Sequence, residues 1–372
     1  MNFEGEPLAL KHEKISKSIA DLGIEGIFIT SIENVYYFTG APVMPGTGNP
    51  ILFALRNRIP FFAYLSKSGE VTLFVWFGVT MGVEYQVDDV RSYMDMDGGI
   101  AELSSFIEEK EIGLSKVGIE SNCPYYVTDL LRKSGISWIV IDYPIKNMRL
   151  VKRKEEILLI RKATEIAEST VKDLGEEMKI GMTRQDLARK ARLFMIEHGA
   201  NSIDHITLAF GPSNPEVMID ESLKAGQIIT VDLGAIYEGY VSDTRRLFYS
   251  GKIVPERTEK LYRTMVGIVD KIGEALIPGR KFGEIYDLAV RLYADNALEP
   301  MFVSAGHSIG IVTEEEMITQ GCGTEIENNM ILNIELYAPD DNGVMIGDEE
   351  TYLIQNGSST RITELQRKIF QV

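Results

Sequence analysis

Residues 228–249 read IITVDLGAIYEGYVSDTRRLFY, two apolar runs that alternate in the manner of strands around a Tyr-Glu-Gly corner. Each run carries one aspartate, Asp232 and Asp243. If the turn centres between Tyr237 and Glu238, the two aspartates stand directly opposite each other. The two-residue period of a strand then points both to one face. Facing carboxylates repel and destabilise a sheet. Such a pair calls for a cation, or for one acid kept protonated.

The same arrangement recurs further along. MILNIELYAP (330–339) and GVMIGDEETYLI (343–354) read as strands, and Asn342-Gly343 between them is a strong hairpin-turn dipeptide. A turn there brings Glu335 near Glu349 or Glu350. Each hairpin is preceded by two helical patterns, 153–178 and 181–199 in the first case, 255–276 and 278–298 in the second. Thr183 and Asp186 form a capping-box-like start, Gly199 a C-terminal stop, and Pro255 opens the third helix. Gly181 matches Gly279, Asp186 matches Glu284 and Leu187 matches Ile285 at one constant offset. Residues from about 150 to 372 therefore read as two copies of a helix-helix-hairpin unit. A lone acid pair reads as solvated surface charge. Two such hairpins in equivalent positions of a repeat point to a shared metal site. Four carboxylates with an imidazole suit Mn²⁺, Co²⁺ or Zn²⁺, and four or more acids at one spot suggest two ions.

The segment before this repeat alternates helix and strand patterns up to about Pro144, as in an α/β layer with a buried sheet. EPLALKHEKISKSIADLG (6–23) reads as an amphipathic helix, and EGIFITSI (25–32) as a buried strand. With 372 residues, two domains are the default. A net charge of −17 disfavours nucleic acid and anionic membranes as partners. No apolar run is long enough to span a membrane, and no signal peptide is visible. Cys123 and Cys322 show no pairing logic. A cytoplasmic protein is expected.

SAGHSIGIVTEEE (304–316) can be read in two ways. Gly306-His307-Ser308-Ile309-Gly310 has the spacing of a serine nucleophile elbow. Yet no histidine follows Ser308, and no strand-to-helix step frames it. His307 as a metal ligand is the better reading. Of the other histidines, His12 and His198 read as structural, while His205 precedes a strand and can line a cleft.

These motifs resemble those of the pita-bread metallopeptidases and their relatives: methionine aminopeptidase, aminopeptidase P, prolidase and creatinase. VDLGAIYEGYVSDTRRLF is similar to the family stretch D-x-G-x…GY-x-SD-x-x-R-x-F, and GHSIGI to G-H-G-I-G-L. NNMILNIELY is similar to G-M-x-x-x-I-E-P-G-x-Y. GIEGIFITSIENVYYFTGA and MRLVKRKEEILLIRKATEIAE resemble the N-terminal domain and domain junction of the prolidase, aminopeptidase P and creatinase branch. The resemblance implies an α/β chain: an N-terminal creatinase/prolidase-like α/β domain over 1–145, then a duplicated α+β pita-bread catalytic domain over 146–372. It implies Asp232, Asp243, His307, Glu335 and Glu349 as ligands of two divalent ions (Mn, Co or Zn), with Glu349 preferred to Glu350 on spacing. It places Glu335, His307 and Glu314 at the catalytic centre, Glu335 as proton shuttle. It also implies a homodimer and a small peptide substrate.

Besides ELYAPDDNG (335–343), which is shorter after its glutamate than the usual E-P-G-x-Y, the chain departs from that branch in three places. Glu314 stands where a histidine is usual, GPSNPEVMID has no histidine where one usually precedes the first aspartate, and MIGDEET lacks the usual arginine. Those histidines bind substrate and stabilise the transition state, a contribution on the order of 10²–10³ in rate. Glu314 can stand in as a neutral donor if desolvation raises its pKa; otherwise the acid run is simply exposed. Arg246 reads as a structural salt-bridge partner. The expected activity is metal-dependent cleavage of a small peptide, of the Xaa-Pro dipeptidase or aminopeptidase P type. The alternatives are a non-peptidase acting on a small amide, guanidino or related compound, and a catalytically silent binding protein.

Overall fold

The computed structural model describes residues 16–17, 19–56, 58–112, 115–217 and 219–372. His12 and most of the helix expected over 6–23 lie outside them. The chain divides into two compact units, Met1–Arg149 and Leu150–Val372.

The first unit holds a six-stranded mixed sheet of β1 (Gly26–Ile29), β2 (Phe62–Ser66), β3 (Val71–Trp76), β4 (Asp89–Tyr93), β5 (Lys116–Ile119) and β6 (Ser137–Val140), in the order β4-β3-β2-β1-β5-β6. Phe28, Phe62 and Phe74 on the sheet pack with Leu103 and Phe106 of the helix Met96–Glu109. The strand expected over 25–32 is shorter than its apolar run. A helix, Ile32–Thr39, begins in its place. The cause is distant in sequence. Glu120 accepts hydrogen bonds from the Ser31 amide (2.8 Å), the Ser31 hydroxyl (2.6 Å) and Asn34 Nδ2 (2.6 Å), which holds the first turn.

The second unit is built twice over. The helices Lys154–Glu177 and Arg184–Glu197 precede β7 (Ser202–Phe210), β8 (Ile228–Tyr237), β9 (Tyr240–Val241) and β10 (Thr244–Tyr249). The helices Glu256–Ala275 and Phe282–Asp295 precede β11 (Gly306–Ser308), β12 (Glu316–Met317), β13 (Ile331–Pro339), β14 (Met345–Gln355) and β15 (Ser358–Arg361), and β16 (Phe370–Gln371) closes the chain. Two sheets result, β16-β10-β8-β7 with β9 beside β8, and β12-β11-β13-β14-β15. The repeat read from sequence is visible atom by atom at the second helix of each half. Gly181 (φ +92°) and Gly279 (φ +88°) both adopt the left-handed region. Their amides donate to Leu223 O (2.8 Å) and Ile326 O (2.9 Å). Asp186 and Glu284 then accept the amides of Thr183 (3.0 Å) and Lys281 (2.9 Å) as capping carboxylates.

Alternation along the strands sorts the two faces of each sheet. Val231, Leu233 and Ala235 pack under Ile166, Val171, Leu187 and Met195, while Leu332, Ile334 and Leu336 pack under Met265, Val269, Ile285 and Leu292. Burying each such aliphatic side chain contributes about 1.5–3 kcal/mol. The intervening residues, Asp232 and Gly234, and Asn333, Glu335 and Tyr337, belong to the opposite faces.

The first hairpin turns one residue later than its sequence suggests. Glu238 (φ +47°) and Gly239 (φ +76°) make the corner, and Tyr237 pairs with Tyr240. That conformation is the type I′ turn, which needs two left-handed residues. Asp232 therefore pairs with Arg245, and Asp243 falls diagonal to it rather than directly across. Moving the turn centre by a full residue changes each partner by two positions, so both aspartates keep the same face. In the second hairpin Asp340 bonds across to Val344 and accepts from the Asn342 amide, with Gly343 at φ +76°; Glu335 pairs directly with Glu349.

Candidate metal centre

Four strands of the second unit and the link between β9 and β10 bring the sequence-predicted ligands together. Asp232 lies in β8, Asp243 between β9 and β10, His307 in β11, Glu335 in β13 and Glu349 in β14. Carboxylate oxygens of Asp232, Glu335 and Glu349 lie within 4.8 Å of one another, and so do ligand atoms of His205, Asp232 and Asp243. His307 Nε2 is 3.4 Å from Asp243 Oδ2. Glu350, the alternative to Glu349, points away. Arg246 Nη2 donates to its Oε1 at 3.0 Å, and Thr363 donates to Oε2. Arg246 also donates to the carbonyls of Arg245 (2.7 Å) and Glu349 (3.0 Å), so it braces β10 against β14 as a structural cation.

The donor set fits divalent cations. Glu349 is 1% exposed; Asn333 Nδ2 donates to its Oε1 at 2.7 Å, and its Oε2 has no hydrogen-bond partner among the described residues. A buried carboxylate oxygen left without a partner is rare and costly. Asp243, Glu335 and Asp232 surround it, so a like-charge group this dense needs a cation.

The electrostatics carry the same imprint. Burial, then the Asp232 charge, pushes the Glu335 carboxyl up to about 7. Burial, then Asp243 and Asp232, holds Glu349 well above the usual carboxylate range. For His307 burial acts downward, but the paired Asp243 carboxylate overrides it and lifts the pKa to about 9. For Asp243 burial acts upward and is overridden by His205 and His307, which hold it far below its ordinary value.

These shifts set a pH dependence for the protein stripped of metal. Glu335 and His307 have folded pKa values above their ordinary 4.5 and 6.5, so their contribution to stability is complete below those values. It is lost as pH rises through about 7 and about 9. The melting temperature of chelated protein is expected to fall as pH rises from 4.5 through about 7, and added Mn²⁺ or Co²⁺ to suppress that fall. A chelated melting temperature that climbs over that interval would contradict the charge arrangement.

Beside the carboxylates lies a cavity of about 180 Å³, lined by Thr207, Ser213, Glu216, Asp232, Arg245, Glu335, Tyr337 and Met345 among others. Arg245 Nη1 stands 3.5 Å from Glu335 Oε1, and its guanidinium lies 5.2 Å from the Tyr337 ring centre. The segment around 211–216, where the histidine of related peptidases is missing, also lines it.

The 304–316 stretch resolves residue by residue. Gly306–Ser308 is a strand between β12 and β13, not a strand-to-helix elbow. Ser308 is fully buried. Of the three glutamates, Glu315 is buried and ion-paired with Lys152 at 2.7 Å, both side chains 1% exposed. Glu316 lies in β12. Glu314 is exposed, and its charge is one of those that raise the His307 pKa. The dry surroundings required of a neutral donor are therefore absent at Glu314. His198 is structural, with Nε2 2.8 Å from Asp173 at a helix end.

His205 is the residue that sequence reading left open and the fold brings in, its Nε2 3.2 Å from both Asp232 and Asp243. The signal was present. Leu208 and Phe210 face the core, so counting back by twos from Ala209 through Thr207 puts His205 on the opposite face.

Residues 159–356 match the model of Metallopeptidase family M24, and residues 11–151 match the Creatinase/Prolidase N-terminal domain. The chain is 28% identical over 374 residues to the Xaa-Pro dipeptidase of Pyrococcus horikoshii, covering 97% of this chain and 99% of that protein. It is 28% identical over 370 residues to the Xaa-Pro dipeptidase of Pyrococcus furiosus, covering 96% and 98%. The crystal structure of the prolidase from Pyrococcus horikoshii superposes with a TM-score of 0.83 at 25% identity, covering 97% of this chain and 100% of that one. With carboxylate hairpins in both halves of a duplicated unit and a family model that spans both, the chain belongs to metallopeptidase family M24 and carries a creatinase/prolidase N-terminal domain.

Proposed function

We propose that this chain is a two-metal dipeptidase that cleaves small Xaa-Pro-like peptides, with Asp232, Asp243, His307, Glu335 and Glu349 holding the ions. The observation that carries the reading is a pair of converging triads, His205-Asp232-Asp243 and Asp232-Glu335-Glu349, that share Asp232, with Glu349 Oε2 unpartnered among the described residues. Two divalent ions held there would supply a Lewis acid for the amide carbonyl and a nucleophile from water near neutral pH. Mn²⁺, Co²⁺ and Zn²⁺ all suit the donors. Glu335, opposite Glu349 and facing Arg245, would accept a proton and pass it to the departing amine. Glu314 acts at most from a distance, as a charge that biases His307.

The cavity supports a small zwitterion as substrate. Arg245 offers a cation beside Glu335, and Glu216 offers an anion on the same lining. A free terminal carboxylate suits the Arg245 fork, and a free amine suits Glu216. The relatives named above are Xaa-Pro dipeptidases, which supports the same substrate class for this chain. A panel of Xaa-Pro dipeptides, their C-terminal amides, longer peptides and small amides tests this with Mn²⁺- or Co²⁺-loaded protein. Free dipeptides are expected to be cleaved best. Arg245→Met is expected to raise KM for free dipeptides about tenfold or more and to leave their amides nearly unaffected. Hydrolysis of small amides alone would replace the peptidase reading with the non-peptidase one.

Neither cysteine is in a disulfide, which suits the cytoplasm. No helix among the described residues is long and apolar enough to cross a membrane. We assign no nucleic-acid partner, given the acidic chain, and a homodimer as its assembly.

A further inference from the structure

We propose that His205 is a sixth protein ligand of this metal centre, binding through Nε2, with Asp204 orienting its ring from the other nitrogen. The inference rests on the two-metal reading above and adds to it an imidazole on the Asp232 side, where the related sequences suggested none.

Three independent features of the fold support it. The first is convergence. His205 Nε2 lies 3.2 Å from Asp232 Oδ1 and 3.2 Å from Asp243 Oδ1, so one nitrogen and two carboxylate oxygens from three strands or strand ends aim at one spot. The second is orientation. His205 Nδ1 is 2.9 Å from Asp204 Oδ2, and Thr313 donates its hydroxyl to the same oxygen. A histidine that binds metal through one nitrogen usually gives its other N–H to a carboxylate, which fixes tautomer and ring plane. With Nδ1–H committed to Asp204, Nε2 is the nitrogen aimed at the two carboxylate oxygens, and release of its proton frees a lone pair there for a metal. A cation among the three atoms takes the place of that proton and binds all three.

The third feature is space made for the ring. A β-bulge at Asp204 puts His205 across from Gly234. A side-chain carbon at Gly234 would collide with the His205 ring and the Ser242 carbonyl. Gly234 sits between Asp232 and the corner of the hairpin, so the β8 strand leaves a gap on the site face where the imidazole lies. Thr313, which tethers Asp204, immediately precedes Glu314, the position where related peptidases carry a histidine. The loop that lacks that histidine thus steadies another one from a different strand. Two imidazoles, His205 and His307, flank Asp243 and shift the donor set from hard oxygen toward the borderline metals Co²⁺ and Zn²⁺.

X-ray absorption at the metal edge of the Co²⁺-loaded wild-type chain tests the assignment without any variant. Two imidazoles per metal pair are expected. One imidazole on a full pair overturns the His205 assignment and leaves the two-metal reading standing. No bound ion after loading overturns both. Chelator competition gives a second readout. His205→Leu is expected to drop the count to one imidazole and to weaken Co²⁺ binding by more than tenfold, and Asp204→Asn to weaken it by about 10–100-fold. Unchanged Co²⁺ affinity in both variants overturns the assignment.

Discussion

Replacing Asp243 with asparagine is expected to empty the metal centre and to lower kcat/KM by more than about 10². Asp243 occupies the middle of the site. One of its oxygens lies 3.2 Å from His205 Nε2, the other 3.4 Å from His307 Nε2, and it belongs to the same converging group as Asp232. The substitution keeps its shape and removes one negative charge from a position 7% exposed. It leaves a neutral amide where the site needs an anion able to serve two neighbours. Changing partners around a metal ligand typically costs 10–100-fold in metal affinity or activity, so removing a shared ligand costs more. The chelated variant should melt below the chelated wild type, because in the metal-free protein Asp243 is the anion paired with His205 and His307. Turnover that survives in Asp243→Asn protein would rule out metal-dependent cleavage here.

Glu335→Gln separates proton transfer from metal binding. Glu335 pairs directly with Glu349 and contacts Arg245. Glutamine preserves one oxygen for a cation and cannot accept a proton. General acid-base work is worth about 10²–10⁴ in rate, so kcat is expected to fall by that amount while KM changes little. Stopped turnover with retained metal is the expected signature. A variant with near-normal kcat would remove Glu335 from the proton path.

The parts of this molecule legible in the sequence are those governed by short-range rules. The four helices of the second unit follow from apolar spacing, capping residues and left-handed glycines. The carboxylate faces follow from strand parity, which survived even when the Glu238-Gly239 corner moved the register of the first hairpin. The Asn342-Gly343 turn left Glu349 and Glu350 both open in the sequence; Asp340 bonding to Val344 across a three-residue loop is what sets Glu335 against Glu349. What stayed hidden depends on partners far along the chain. The helix Ile32–Thr39 reads as a continuation of β1, because the carboxylate that holds its first turn is Glu120. The edge strand β4, DVRSY, carries too few apolar residues to announce itself. The glutamates 314–316 look alike in sequence, and only the position of Lys152 decides that Glu315 is the buried one. His205 was legible by parity, but the bulge at Asp204 breaks the alternation just before it and spaces Ile203 from Ile206 by three.

Metal analysis of the purified chain tests the central claim most directly. After incubation with Mn²⁺ or Co²⁺ and removal of excess ion, elemental analysis is expected to find two divalent ions per chain, and close to none in Asp243→Asn protein. A wild-type chain that holds no ion under those conditions would contradict the account.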